Sequence, residues 1–267
     1  MVKNSIKAIT YTLFLLFLML SFTVHAEESW IKKTKINYKA TYASKYMWRG
    51  IDLQDDAPAF QSELFCDFGE TGFYAGAFYS IAVNSRQRWR EWDEIDVYFG
   101  YYNVVCPDKK YSLEYDIGFT HYYFPQQVRD VDTQDIALAL KLPNIVPLGG
   151  SNLIPRLKIY YGWSPFSNED SGLWVGIAAM YDFTIPPSIL SRQNQKLSLK
   201  VETYHNDGAQ SFEVNPGWSH IMTSIGTTFD WKGFQYTPEI SYQWSLEDTV
   251  DKENELWFTI TIGRDIR

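Results

Sequence analysis

DEIDVYFGYYNVV, residues 93–105, puts Ile95, Val97, Phe99, Tyr101 and Val105 on one parity and Glu94, Asp96, Tyr98, Gly100 and Tyr102 on the other. Aromatic and β-branched residues alternating at period two specify a strand. Two carboxylates on one face then have two readings. The strand lies in a soluble sheet with one solvated face, or its apolar face meets lipid and its polar face lines a water-filled lumen.

The same alternation recurs along the chain. It predicts about twelve strands, near 35–48, 58–68, 72–84, 93–105, 110–124, 134–142, 153–163, 173–184, 195–204, 218–231, 233–245 and 254–264. The fifth opposes Leu113, Tyr115, Ile117 and Phe119 to Glu114, Asp116, Gly118 and Thr120. The seventh opposes Leu157, Ile159 and Tyr161 to Arg156, Lys158 and Gly162, and the ninth Leu197, Leu199 and Val201 to Lys196, Lys200 and Glu202. The last three set Ile221, Ile225 and Phe229 against Ser224, Gly226 and Asp230; Tyr236, Ile240 and Tyr242 against Gln235, Glu239 and Gln243; and Leu256, Phe258, Ile260 and Ile262 against Thr259, Thr261 and Gly263.

Alternation does not say which face is inside, and a soluble sandwich competes with a membrane barrel. Three features choose the barrel. About twelve strands close a ring too wide for side chains alone to fill. Aromatics gather near segment ends (Tyr46, Trp48, Tyr123, Trp163, Trp218, Phe229, Trp231, Phe234, Trp244, Trp257) in the manner of interfacial girdles. Gly100, Gly118, Gly162, Gly226 and Gly263 fall on the polar face, where they leave lumen space and ease curvature. On this reading Glu94 and Asp96 point into an aqueous lumen.

An even strand number puts both chain ends on one side. Short turns at 69–72, 106–109 and 230–233 then alternate with longer polar loops at 49–58, 84–92, 125–133, 164–172, 205–217 and 245–253, the pattern of short periplasmic turns and long outer loops. The connections at 143–152 and 185–195 are longer than this pattern wants.

The first 26 residues read as a secretory signal peptide. Lys3 and Lys7 precede an apolar run from Ala8 to Val24, and Val24-His25-Ala26 offers small residues at the cleavage positions. An N-terminal membrane anchor is the competing reading. Cleavage removes two lysines and leaves 22 Lys and Arg against 32 Asp and Glu, which argues against a nucleic-acid partner. No later apolar run reaches 18 residues, the length of a membrane helix.

SKYMWRGIDLQDDAPAFQ (44–61), GFYAGAFYS (72–80), EIDVYFGY (94–101) and LEYDIGFTHYYFP (113–125) together resemble the TorF family of porin-type proteins, long grouped as a bacterial family of unknown function. The matching positions are Ser44, Tyr46, Arg49, Gly50, Pro58, Gln61, Gly72, Phe73, Tyr74, Gly76, Glu94, Asp96, Tyr98, Gly100, Tyr101, Tyr115, Asp116, Gly118, Tyr122 or Tyr123, and Pro125. The resemblance covers about the first half of the mature chain. It implies an outer-membrane β-barrel and supplies no substrate. Many such barrels end on an aromatic read by the barrel assembly machinery; this chain ends Gly263-Arg264-Asp265-Ile266-Arg267, with Leu256, Phe258, Ile260 and Ile262 as an internal version of that signal.

Catalytic and metal chemistry find little support. His121, His205 and His220 are not at ligand spacing and no cysteine pair supplements them. No serine is placed beside His121 by sequence. The run Arg86-Gln87-Arg88-Trp89-Arg90 suits lipopolysaccharide phosphates or anionic solutes, or is a solvated loop; the acids Asp52, Asp55, Asp56, Glu247, Asp248, Asp251 and Glu253 suit loose divalent cations, or are likewise solvated. Cys66 and Cys106 are expected to stay unbonded, because a strand separates theirs and their parities differ.

The reading is therefore all-β: a transmembrane antiparallel up-and-down β-barrel of about twelve strands, with residues 1–26 as signal peptide and 27–267 as the barrel domain. It is expected in the bacterial outer membrane, as a monomer, passing small polar solutes or ions by passive diffusion. The candidate pore-lining residues are Glu94, Asp96, Glu114, Asp116, Arg156, Lys158, Lys200, Glu202 and Glu239, giving a lumen with charges of both signs. No cofactor, metal or catalytic residue is implied. Expected partners are outer-membrane lipid, lipopolysaccharide, small polar solutes and the barrel assembly machinery. A non-conducting barrel with a binding or structural role, its loops folded inward, and a barrel-borne hydrolase are the alternatives.

Overall fold

Period-two segments bury one face only by pairing edge to edge, and here the pairing runs in chain order until the ring closes. The computed structural model describes residues 33–83, 93–166, 171–185, 195–208 and 214–266. Its long strands are β1 (Lys35–Ala43), β2 (Ala59–Asp67), β3 (Phe73–Ala82), β4 (Glu94–Val105), β5 (Leu113–Tyr123), β6 (Thr133–Lys141), β7 (Ser151–Trp163), β8 (Gly172–Ile185), β9 (Gln195–Asn206), β10 (Gly217–Thr227), β11 (Phe234–Ser245) and β12 (Glu255–Asp265). Each is antiparallel to the next, and β1 pairs with β12 from Asn37↔Asp265 to Ala43↔Thr259, so no edge is left open. Closure satisfies the backbone without water, as a membrane-spanning sheet requires.

Side-chain parity decides the orientation. Phe99, Ile117, Ile136, Ile177, Leu199, Ile225, Ile240, Leu256 and Phe258 are all more than a third exposed on the outside. Their polar neighbours turn inward, where Asp135, Glu202, Ser224, Ser241 and Gln243 are buried. An apolar exterior around a polar interior is the arrangement of a membrane barrel, not of a soluble one.

The interior is laced by tyrosines. Tyr74 on β3 faces Gly100 on β4 in register, and Gly76 on β3 faces Tyr98. A Cβ on Gly100 would stand 2.3 Å from the Tyr74 hydroxyl, and one on Gly76 2.3 Å from that of Tyr98. Each ring thus lies over a glycine and reaches a carboxylate two strands away from its own: Tyr74 donates to Asp116 at 2.6 Å and Tyr98 to Glu63 at 2.6 Å. The expectation that Gly100 leaves lumen space is therefore corrected. Its missing side chain makes room for a ring that crosses it.

Further expectations are corrected. The first strand stops at Ala43 rather than running to residue 48, because the chain turns inward there. The tenth breaks after Thr227, and Phe229–Trp231 forms a small hairpin with Phe234–Tyr236 through Lys232 and Gly233, both at positive φ. Of the expected girdle, Trp218, Phe229, Trp231 and Trp244 are exposed outside. Trp257 instead faces inward and is buried, since its parity opposes Leu256 and Phe258. Tyr46 and Trp48 belong to the inward loop. The arginine-rich run 86–90 and most of 185–195 lie outside the described residues, as does the segment 1–26.

Cys66 and Cys106 are both free. β3 intervenes between their strands, with Cys66 opposite Ala75 and Ala75 opposite Phe99. Thiol titration of the denatured, unreduced protein is expected to find both sulfhydryls. Finding neither, at monomeric mass, would require the β2 and β4 ends to meet.

Candidate functional site

The loop between β1 and β2, residues 44–58, enters the barrel from the end opposite Lys35 and Asp265. Met47–Trp48 pairs with Ile51–Asp52, and the two residues between them, Arg49 (φ 50°) and Gly50 (φ 94°), both lie at positive φ. That is a primed two-residue hairpin turn, for which Asn-Gly and Asp-Gly are the strong signals and Arg-Gly a weak one. Asp52 stiffens the return by accepting from the Gln54 and Asp56 backbone N–H groups at 2.9 and 2.6 Å, and the Leu53 N–H donates to the Tyr46 carbonyl at 2.9 Å.

The hairpin touches the wall on every side. The Tyr46 hydroxyl donates to Glu94 on β4 at 2.6 Å. Arg49 ion-pairs with Asp135 on β6, donates to the Tyr122 hydroxyl on β5 at 3.3 Å, and lies 3.7 Å above the Tyr160 ring on β7 and 4.3 Å from that of Trp48. Trp48 packs edge-on against Tyr122 and against Trp174 on β8. Gly50 abuts His220 on β10, and its carbonyl accepts from Gln243 on β11 at 2.8 Å. Trp174, Tyr204, Val214 and Val250 form an apolar cluster with Ile51 and Tyr160 at this end. A dry cluster stands where an open channel would hold water.

At the rim, Lys45 bridges Asp56 and Glu255, supplying the positive charge that the acidic group Asp52, Asp56 and Glu255 calls for. Burial opposes the charge on Lys45, but the two carboxylates hold its ammonium above the usual lysine value. Burial pushes the carboxyls of Asp132 and Asp251, in two outer loops, up to about 6. These folded values exceed the unfolded one, about 3.9. The stability they contribute is complete below that value and is lost as pH rises through about 6. The outer loops are therefore expected to resist limited proteolysis better at about pH 5 than at about pH 7.5, read with a protease active at both. Faster cleavage in acid would contradict the sign.

The candidate lining residues are all on the inward parity, but they fall into two zones. Glu94 and Asp96 are 1% and 7% exposed beneath the loop, so they face a sealed interior rather than water. Of the others, Glu202 is also buried, and the rest are half-buried. Glu114 pairs with Lys141 at 2.7 Å, Asp116 accepts from Tyr74, and Glu239 accepts from Ser241 at 3.3 Å. Lys158 donates to the Tyr204 hydroxyl at 2.9 Å, and Lys158 and Lys200 reach Glu202 at 3.6 and 3.3 Å. Arg156 is half-buried opposite Lys141 on β6 and Ala178 on β8. Solvent access differs along the barrel axis: the Arg49 side chain in the hairpin is 6% exposed, that of Lys39 midway along β1 47%. Among the described residues, the interior is sealed around the hairpin and more solvated away from it.

The histidines are dispersed. His121 contacts Gln134 at 3.2 Å, and His205 lies edge-on to Trp218. His220 contacts Ser219 at 3.0 Å, but the Ser219 hydroxyl donates to the Tyr204 carbonyl at 2.9 Å, at a register shift in the β9–β10 pairing, and both residues are buried. That geometry seats a bulge.

Known proteins share this architecture. A family model described as a bacterial protein of unknown function (Gcw_chp) matches residues 33–142, which hold the inward loop, β1 to β6 and Asp135. The chain resembles that family across its first six strands. No curated protein matches the sequence. Among solved structures, the NanC porin aligns over 85% of this chain and 98% of its own at 10% identity, with a TM-score of 0.50. LpxR from Salmonella typhimurium aligns over 85% of this chain and 99% of its own at 10% identity, with a TM-score of 0.51. At that identity the likeness is one of fold, and the fold is that of outer-membrane barrels.

Proposed function

We propose that the protein is an outer-membrane channel for small polar solutes or ions, of the TorF type, whose outer mouth is held shut by its first outer loop. The observation that supports this is the inward face itself: charges of both signs, more solvated away from the loop, with a closing element made of a separate hairpin and not of the wall. Residues 1–26 act as a cleaved signal peptide and 27–267 fold as the barrel, inserted as a monomer by the barrel assembly machinery among lipid and lipopolysaccharide. Passage is by diffusion along Glu114, Asp116, Arg156, Lys158, Lys200, Glu202 and Glu239, and past Glu94 and Asp96 when the loop has left.

Planar-bilayer recording tests the reading. Wild-type protein is expected to be mostly closed with occasional steps of conductance. Arg156→Glu together with Lys158→Glu is expected to insert normally and to move the reversal potential toward cations, because it replaces two positive charges on the lumen wall by negative ones. An unchanged reversal potential in a conducting double variant would remove these residues from the solute path. The seated loop also suits a second reading, a barrel that binds or scaffolds without conducting. Folded protein that stays silent even with its loop unseated supports that one.

A further inference from the structure

Arg49 occupies a seat that the barrel wall builds without it. Asp135 supplies an anion, the Tyr122 hydroxyl donates to Asp135 at 2.9 Å and meets the guanidinium at 3.3 Å, and the Tyr160 ring forms a flat floor 3.7 Å below. Trp174, fully buried, closes the side by packing on Trp48. A planar, weakly hydrated cation is what such a set selects. Aromatic faces attract its charge, and a carboxylate accepts its parallel N–H groups.

The seat also has more buried carboxyl groups near it than one arginine pairs with. Glu94 and Asp96 meet side by side and face the same guanidinium as Asp135 does. Asp135 alone is ion-paired with Arg49, while Glu94 accepts from Tyr46 of the same loop and Asp96 lies buried next to it on β4. Asp135 Oδ1, Asp96 Oδ1 and Arg49 Nη1 are all sealed from solvent without a hydrogen-bond partner. A loop anchor alone needs one carboxylate, and unpaired buried acceptors are costly to keep. Surplus acceptors fit a site whose guests include something larger, or better supplied with donors, than Arg49.

We propose that this seat binds organic cations bearing a guanidinium or primary ammonium group, and that Arg49 is its tethered competitor. A solute that fills the seat displaces the hairpin that closes the mouth. The gating consequence rests on the channel reading above; the binding does not.

Methylguanidinium chloride is the probe, with sodium chloride at equal ionic strength as reference. The full-length folded protein in detergent is followed by tryptophan fluorescence, since Trp48 and Trp174 border the seat. Arg49→Ala vacates it. Saturable binding to this variant is expected, at least tenfold tighter than to wild type, where the tethered side chain competes at an effective concentration in the millimolar range. Adding Asp135→Asn should abolish it. No saturable response beyond that of sodium, or equal affinity with and without Asp135, overturns the proposal. Should Arg49→Ala fail to fold, refolding in methylguanidinium but not in sodium supports the seat, and refolding in neither overturns it. Binding by a protein that never conducts defeats the channel reading alone; conduction without binding defeats this one alone.

Discussion

Replacing Gly50 with alanine is expected to turn a mostly closed barrel into a conducting one. Gly50 lies at φ 94°, beyond the left-handed region that other residues enter at a cost of roughly 1–2 kcal/mol. Its added Cβ would stand 2.2 Å from His220 Nδ1 and 2.8 Å from Cε1. The imidazole has little freedom to yield. It stacks on Tyr204 at 5.5 Å between centroids, and its Nδ1 is 3.0 Å from Ser219. Nor can the hairpin shift slightly, because Gln243 holds the Gly50 carbonyl and Asp135 holds Arg49. The relief lies in the loop leaving its seat. The wall does not need it, since every long strand is paired with two other strands of the ring. Bilayer recordings should show frequent large steps, and protease should cut within residues 44–58 of a barrel that still shifts mobility on boiling. A variant as quiet and as protected as wild type would sink the assignment of this loop as the closing element.

The second large effect tests which face meets lipid. Phe99 sits midway along β4, 55% exposed, its ring 5.4 Å from that of Phe119 on β5. Phe99→Arg places a charge near the bilayer midplane at a cost of ~2–4 kcal/mol, comparable with much of a domain's net stability. It should leave almost no heat-modifiable barrel in the membrane fraction. Thr261→Arg is the matched control. Thr261 faces inward on β12 and exchanges a hydrogen bond with Thr41 at 2.8 Å, whose loss costs roughly 1 kcal/mol. That variant should assemble. Assembly of the first variant and failure of the second would invert the barrel's faces.

Much of the architecture was legible because a barrel strand writes both its environments into a short stretch. Ile95 and Phe99 against Glu94 and Asp96 are local statements, and the closed order of β1 to β12 follows once every segment says the same thing. The misreadings came where local pattern and destination part. Trp257 stands near a segment end like the girdle aromatics, yet its own parity sends it inward. Gly100 looks like empty space until Tyr74 is known to cross it, and that crossing depends on register between strands.

The candidate site divides the same way. The inward parity of Glu114, Asp116, Arg156, Lys158, Lys200, Glu202 and Glu239 was set by the chain itself, because a side chain's face is fixed by its position along one strand. What surrounds each group was not. Arg49 and Asp135 are 86 residues apart, Gln243 and Gly50 193 apart. No period or motif announces that Tyr46, Arg49 and Gly50 fold back into the ring, since Arg-Gly is a weak turn signal and a polar loop costs little wherever it lies. A closed barrel with a charged interior could thus be read from the chain alone. That one end of the interior is buried emerges only in three dimensions, because a loop there meets strands from β4 to β11 at once, a coincidence that exists only after the ring has closed.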